Sequence, residues 1–376
     1  MPTKSQEQEE ISERGRIQNE ANERWLGSGL GTIVLAPGFG KTRVGIEISK
    51  KYNKVLIVVP TTNLRDQWRR ELIKWGNTSE VRIECTKSAI KISEHYDLII
   101  YDEIHMMLSE IYRKVLEIPA KHRLGLTGTP PLNNLKVLES LCPIIYKKTL
   151  QDALDAEAIS EYTVQNIGVK FNAKDGYKYR LFDMKFKEAA LALNKQKAVL
   201  GLADSVFDLA RKYNKEDDKS LLTKFAKQYW SAMTMRKWMC YENESKLLEV
   251  LKILQAYPDK KWILFNKSIK FAEKLQKLIP QSLIYHSKLN NAKREEVLEK
   301  YSNTKKAVLI AVDALNAGLD VPDANAALEI SYTSVPLTYQ QRVGRVTRKE
   351  ENKIALLINL YTIGTVEEKW LAKKNE

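Results

Sequence analysis

Leu35-Ala36-Pro37-Gly38-Phe39-Gly40-Lys41-Thr42 sets two glycines, a lysine and a threonine between an apolar β-branched run and a helical one. That context suits a loop that cradles phosphate. Gly38 and Gly40 let successive backbone N–H groups converge on phosphate oxygens at a helix N-terminus. Lys41 adds a cation at the β/γ-phosphates, and the Thr42 hydroxyl can ligate Mg²⁺. The strict pattern G-x-x-x-x-G-K-[ST] would have glycine where Leu35 stands. Tyr101-Asp102-Glu103-Ile104-His105 closes another apolar run, Asp102 lying 61 positions after Lys41. Adjacent carboxylates at a strand's C-terminal edge can divide labour, Asp102 holding Mg²⁺ and Glu103 polarising an attacking water. Arg342, Arg345 and Arg348 recur every third residue. On a helix they would share one face and repel one another unless an anion such as a triphosphate lay opposite.

Short apolar runs are spaced to carry these groups. Thr32–Leu35, Val55–Val59, Leu98–Tyr101 and Leu124–Thr127 read as buried strands, alternating with helical patterns such as Leu64–Leu72. Strands apolar on both faces belong to a parallel, doubly wound α/β sheet. The alternation returns with Trp262–Phe265, Leu283–Tyr285, Ala307–Ala311, Ala326–Ile330 and Ile354–Leu360, which predicts a second α/β domain. Between them, after a strand-like run from Val164 to Phe171, residues 174–245 read as all helical, with Leu222, Phe225, Tyr229 and Met233 at helical spacing.

At 376 residues with 44% hydrophobic content, the chain is long enough for two or three domains with cores, and ordinary enough to exclude disordered or collagenous classes. No apolar run approaches the ~18 residues a membrane span needs. The acidic, polar N-terminus does not look like a signal peptide, so a cytoplasmic protein of a bacterial or phage-infected cell is expected. Cys85, Cys142 and Cys240 have no C-x-x-C pairing, which argues against disulfides and structural zinc. The net charge of +14 favours a polyanionic partner. Residues 174–240 hold 15 Lys+Arg against 8 Asp+Glu, a net of +7, in under a fifth of the chain.

Together these segments resemble the superfamily 2 helicases and translocases, in their DEAD/DEAH-like branch, with DEIH as the acidic box. Arg16-Ile17-Gln18, with Ala21 and Trp25, resembles the adenine-reading segment before the phosphate loop. Pro60-Thr61-Thr62-Asn63-Leu64 with Gln67-Trp68 is similar to motif Ia, which grips the nucleic-acid backbone. Leu126-Thr127-Gly128-Thr129-Pro130 resembles motif III, Phe265-Asn266-Lys267-Ser268 motif IV, and Asp313-Ala314-Leu315-Asn316-Ala317-Gly318-Leu319-Asp320-Val321-Pro322 motif V. Gln341-Arg342-Val343-Gly344-Arg345-Val346-Thr347-Arg348 matches the motif VI pattern Q-R-x-G-R-x-x-R at every fixed position.

The resemblance implies two RecA-like domains in tandem, 1–155 and 246–376, flanking a linker strand and basic helical insert at 156–245. It implies ATP and Mg²⁺ as cofactors. Catalysis falls to Lys41, Asp102, Glu103, Gln341, Arg345 and Arg348, the last two reaching the γ-phosphate. ATP is held by Arg16, Gln18, Pro37, Gly38, Phe39, Gly40, Lys41, Thr42, Gly318 and Asp320, and the metal by Thr42 and Asp102. Thr127 and Thr129 couple hydrolysis to strand binding. Thr61, Thr62, Arg65, Asn266, Lys267 and Ser268 contact nucleic acid, joined by Lys224 and Lys227 of the insert, where cations and aromatic rings interleave. Within the insert, Phe225 and Tyr229 are assigned to packing, and Arg236, Lys237, Trp230 and Trp238 are further candidates for the strand. The motif set is most similar to DNA repair, branch-migration and restriction motors, which favours DNA over RNA. A monomer is expected, with a larger repair or replication complex as its setting. An RNA helicase, and an ATP-gated clamp or motor subunit without unwinding of its own, are the competing readings.

Overall fold

A computed structural model describes residues 12–76, 79–130, 134–312, 324–332, 342–344, 346–349 and 353–372. Gly318, Asp320, Gln341 and Arg345 lie outside the described residues.

The first sheet comprises β1 (Leu30–Leu35), β2 (Lys54–Val59), β3 (Glu80–Cys85), β4 (Tyr96–Asp102), β5 (Ala120–Thr127) and β6 (Ile144–Lys148), in the order β3-β2-β4-β5-β1-β6. Every pairing in it is parallel. Its covering helices are α1 (Glu13–Ser28), α2 (Lys41–Ser49), α3 (Thr62–Lys74), α4 (Thr86–Ala89), α5 (Leu135–Leu141) and α6 (Leu150–Asp155). β1 and β2 bury five of their six residues each, which is why they read as unbroken apolar runs. α1 is anchored across the sheet by Trp25, whose Nε1–H donates to Arg123 O at 3.2 Å, and by Glu20, which accepts from Tyr146 Oη at 2.7 Å.

The second sheet holds β7 (Tyr162–Val169), β8 (Trp262–Asn266), β9 (Leu283–His286), β10 (Val308–Val312), β11 (Ala326–Glu329) and β12 (Ala355–Thr362), in the order β7-β12-β11-β8-β10-β9, again wholly parallel. The strand read as a linker is therefore an edge of this sheet. The insert folds as α7 (Ala173–Val199), α8 (Val206–Tyr213) and α9 (Leu221–Tyr241), followed by α10 (Ser245–Ala256), α11 (Ile269–Leu278), α12 (Asn291–Asn303) and the C-terminal α13 (Val366–Ala372). Asn172, Ser205 and Ser220 cap α7, α8 and α9, each side chain accepting a backbone N–H three residues on. Such caps contribute about 1 kcal/mol apiece. Ala189, Leu193, Ala210, Leu222, Ala226 and Tyr229 form the insert's own core. Among the described residues, no helix is long and apolar enough to cross a membrane.

Candidate active site

β1 delivers the chain into the glycine loop, and Gly38 and Gly40 take φ values of 100° and 78° there, conformations L side chains rarely adopt. Gly40 is the N-cap of α2, so the loop's N–H groups and the start of the helix face one point. Phe39 is fully buried and pins the loop from below, while Gln18 Nε2–H donates to Phe39 O at 2.6 Å. Gln18 thus braces the phosphate loop with the amide that the adenine reading assigned to a base. Arg16 departs from its assignment, because α1 turns it to solvent, where it pairs with Glu13 at 3.4 Å. Arg14, one helical turn before Gln18, takes the inward place. With Gln18, Gly40, Thr42, Arg43 and Trp75 it lines a cavity of about 490 Å³ beside the loop. Arg43 lies 4.3 Å over the Trp75 ring, a pairing of residues remote in sequence that no local pattern announces.

β4 ends at Asp102, and Glu103 turns the chain through the left-handed region at φ 52°. The turn aims Glu103 at the loop, with Oε1 3.9 Å from Lys41 Nζ. Burial alone would raise the Glu103 carboxyl, but the Lys41 charge, with His105, outweighs it and holds the group low. Burial, and then the charge of Glu103, push Asp102 in the opposite direction. Of two adjacent acids, the one facing the lysine ionises more readily. Asp102 is itself gripped: Oδ2 accepts the Trp68 Nε1–H at 2.8 Å and Oδ1 the Glu103 N–H at 3.0 Å. The Trp68 contact spans 34 residues, and sequence reading placed Trp68 only within the strand-gripping segment. His105 Nδ1 lies 3.0 Å from Thr127 Oγ1, and that hydroxyl donates to Thr129 O at 3.0 Å, so the acidic box touches the coupling segment directly.

The donor set fits a nucleotide with magnesium. Two left-handed glycines and a lysine 3.9 Å from its carboxylate surround the loop, with Glu103 Oε2 buried 3.3 Å from His105 Nδ1. Among the described residues no cluster of three or more His, Cys, Asp or Glu could hold a metal alone. Mg²⁺ typically takes one or two protein oxygens and completes its shell with phosphate and water, a demand that the Thr42 hydroxyl and Asp102 carboxylate can meet.

The second sheet supplies the facing wall. Residues 342–344 and 346 are helical, but Thr347 and Arg348 leave the helix to pair antiparallel with the segment after α6. Ser160 N–H donates to Thr347 O at 2.8 Å and Ser160 Oγ to Arg348 O at 3.0 Å. Arg342 and Arg348 therefore do not share one helix face. Arg342 is buried, ion-paired with Glu329 and 4.8 Å over the Phe265 ring, so its anion is a carboxylate of its own sheet. A Cβ added to Gly344 would meet Pro37 Cβ at 2.1 Å, and one on Gly38 would meet Ile159 at 2.5 Å. The phosphate loop, the 158–160 segment and the arginine segment are thus in mutual contact.

Thr61 caps α3 with its hydroxyl, and Thr62 and Arg65 lie on that helix's first turns, with Thr62 exposed. Asn266 and Ser268 do not present their side chains as the motif IV likeness implied. Asn266 is fully buried, accepting the Ser331 Oγ–H at 2.6 Å and the Lys267 N–H at 2.7 Å. Ser268 caps α11 and donates to Glu242 at 2.7 Å. Both spend their polar atoms on the turn that positions Lys267. In the insert, Lys224 is exposed and Lys227 lies 3.5 Å from Asp217. Arg236 is removed from the candidates, since it is buried, bonded to Asp183 at 2.5 Å and stacked 3.6 Å over Phe186. Tyr229 packs on Phe186, while Trp238 stays 43% exposed. Burial, and then Arg236 and Lys267, lower the Lys237 ammonium, so the insert brings a cation to the Lys267 turn.

Two parallel six-stranded sheets in tandem, the first with a phosphate loop and acidic pair at its strand ends, make up the RecA-like architecture of nucleic-acid-linked ATPases. Residues 245–350 match the model of the helicase conserved C-terminal domain, and residues 6–91 and 81–132 that of the type III restriction enzyme res subunit. The chain belongs to the superfamily 2 helicases, a family of ATP-hydrolysing enzymes. It is 29% identical to the DNA 3'-5' translocase XPB2 of Sulfurisphaera tokodaii, over 96% of this chain and 84% of that protein. It is 22% identical to the DNA 3'-5' helicase XPB of Mycobacterium tuberculosis, over 87% of this chain but 56% of that one. The helicase domain of Pyrococcus furiosus Hef shares the fold at a TM-score of 0.55 and 18% identity, covering 96% of this chain and 97% of that one.

Proposed function

We propose that the protein is a DNA-stimulated ATPase that translocates on DNA in the 3'-5' direction, using ATP·Mg²⁺ bound between its two RecA-like domains. The observation that carries this reading is the seating of Gly344 on Pro37, which joins the phosphate loop of one sheet to the arginine segment of the other. The choice of DNA, and of direction, rests on the similarity to XPB2. The functional units we assign are 1–155, an insert and linker at 156–245, and 246–376, with β7 serving the last.

Gly38, Phe39, Gly40 and Lys41 hold the phosphates and Thr42 and Asp102 the metal, which supplies charge neutralisation at the transferred phosphoryl group when bound. The base end faces Gln18 with Arg14 and Arg43. Glu103, kept ionised by Lys41, orients the attacking water. Arg345 and Arg348, with Gln341, Gly318 and Asp320, complete the site from the second domain, so only the closed arrangement hydrolyses. Closure draws Thr61, Thr62 and Arg65 toward Lys267, and reopening releases one of these grips before the other. Thr127 and Thr129 tie the two events through His105.

ATPase measured with single-stranded DNA, duplex DNA and RNA, beside strand displacement from forks, tests the reading. DNA should stimulate turnover more than RNA, 3'-tailed forks should open, and Lys41→Ala should abolish both. Turnover indifferent to every nucleic acid, or full activity in Lys41→Ala, would overturn it.

A further inference from the structure

The root of the insert carries a cleft that none of the assignments above uses. α7 and α9 form one wall and the α9–α10 connection with the start of α11 the other, enclosing about 590 Å³ beside the Asn266–Ser268 turn. Its floor is apolar, built from Leu181, Phe182, Met235 and Met239. Leu181 and Met235 remain 36% and 41% exposed there. Three cations stand on the rim: Lys178 and Lys185 on α7 and Lys270 on α11, all exposed.

Four lysines and three carboxylates line this cleft, leaving a cationic excess of one, and three of the lysines are outside any ion pair among the described residues. Asp175 is held in the α7 cap by Asn172 at 2.7 Å, Glu242 accepts from Ser268 at 2.7 Å, and Glu244 pairs with Lys274. Lys178, Lys185 and Lys270 have no acidic partner among the described residues. Lys178, Phe182 and Lys185 follow one another at helical spacings of four and three, so the ring lies between two cations on one face. Those cations are two turns apart, about 10 Å along the helix axis. Lys185 Nζ is 6.0 Å from the Phe182 ring. An apolar slot flanked by lysines that form no ion pair among the described residues suits a ligand with a flat uncharged body and anionic groups on either side. The volume is that of a small-molecule pocket rather than of a groove long enough for a partner helix.

We propose that this cleft receives an unpaired nucleobase of a bound single strand, packed on Phe182, with the flanking phosphates on Lys178, Lys185 and Lys270. The proposal rests on the nucleic-acid reading of the preceding subsection. It makes the junction of insert and second domain a single-strand holder, which paired bases cannot enter. Base–aromatic stacking and phosphate neutralisation should then separate experimentally, the first independent of salt and the second not.

Full-length protein is titrated with an oligo-dT strand carrying one 2-aminopurine and with a duplex, across a range of salt. The 2-aminopurine emission should rise on binding. Phe182→Ala should suppress that rise and weaken strand affinity about 5- to 160-fold with the salt slope unchanged, as removal of one stacking platform predicts. K178E/K185E/K270E should flatten the slope by about 2, at roughly 0.7 for each phosphate that no longer meets a cation. These are partly or fully exposed positions, and unchanged melting temperatures would show that both variants fold. Strand binding by both variants equal to wild type overturns the cleft while leaving the nucleic-acid reading intact. A salt effect in the lysine variant with no effect of Phe182→Ala also overturns it, since the base would then lie elsewhere. Wild-type protein that binds neither strand, duplex nor RNA would instead remove the reading beneath it.

Discussion

Trp68 is where a single residue decides more than its surroundings suggest. Its indole N–H holds Asp102, and its ring packs on α2, where a Cβ added at Gly45 would meet Trp68 Cη2 at 2.7 Å. Trp68 therefore bridges α3, whose first turn carries Thr61 and Thr62, to the acid assigned to the metal. A hydrogen bond to a charged buried group is worth about 1.5–3 kcal/mol. Trp68→Phe keeps most of the ring and loses the donor, so ATPase turnover should fall about tenfold and Mg²⁺-dependent binding of a fluorescent nucleotide should weaken. Wild-type values for both would show that Trp68 only packs. The contrast between residues that could and could not be read from sequence follows from the range of their partners. Gly38, Gly40 and Lys41 act through local backbone geometry, which order along the chain reports. Asn266 and Ser268 look like ligand-binding groups for the same reason that they are good turn formers, since short polar side chains readily satisfy nearby backbone and neighbouring hydroxyls. The three-residue spacing sets Arg342 opposite an anion such as a triphosphate, yet Glu329, 13 residues upstream, is the anion it meets.

Among the elements, the central strands of both sheets and the edges of the second, β7 and β9, were legible, whereas the edges of the first were not. β3, Glu80–Cys85, alternates charge with apolar residues, and β6, Ile144–Lys148, is short and ends in two lysines, so neither shows the unbroken apolar run of a strand covered on both faces. Edge position explains both omissions, since β3 and β6 flank the first sheet. The tether of the insert was equally hidden. Lys246 at the start of α10 and Glu367 of α13 are both fully buried and bonded at 2.8 Å, with Lys246 also donating to Ile330 O at 2.7 Å. Tyr179 Oη of α7 accepts the Val366 N–H at 2.8 Å beside them. These bonds lock the C-terminal helix to the insert's exit and to the end of β11, so the insert should move as one body with the second sheet. Lys246→Met leaves a buried carboxylate without its cation and should cost about 3–5 kcal/mol in chemical unfolding of the full chain. Lys246→Met with Glu367→Leu removes both charges and should recover most of that loss. Equal destabilisation in the single and double variants would refute the buried-charge explanation.

At the scale of the whole molecule, the contact between sheets sets what the enzyme can do. A methyl group on Gly344 would lie against Pro37, 2.1 Å from Cβ and 2.3 Å from Cγ, and proline offers no flexible tip to move aside. The 158–160 segment lies in the same seam, with Ile159 against Gly38 and Ser160 bonded to Thr347 and Arg348. The phosphate loop and the arginine segment therefore share one seam, so a change at Gly344 bears directly on Pro37. Two consequences separate this from a role for Gly344 within its own helix. Gly344→Ala should leave nucleotide affinity near wild type, because the phosphate loop and the cavity beside it belong to the first sheet. Its strand-stimulated turnover should nevertheless fall by at least tenfold, since a methyl group forced against Pro37 holds the domains apart. A fluorescence pair placed on the two sheets should report an open arrangement in that variant whether or not a non-hydrolysable ATP analogue is present, whereas wild type should close on adding it. Closure by Gly344→Ala as complete as that of wild type, with turnover intact, would show that the seam tolerates an extra methyl group and that the domains meet elsewhere during hydrolysis.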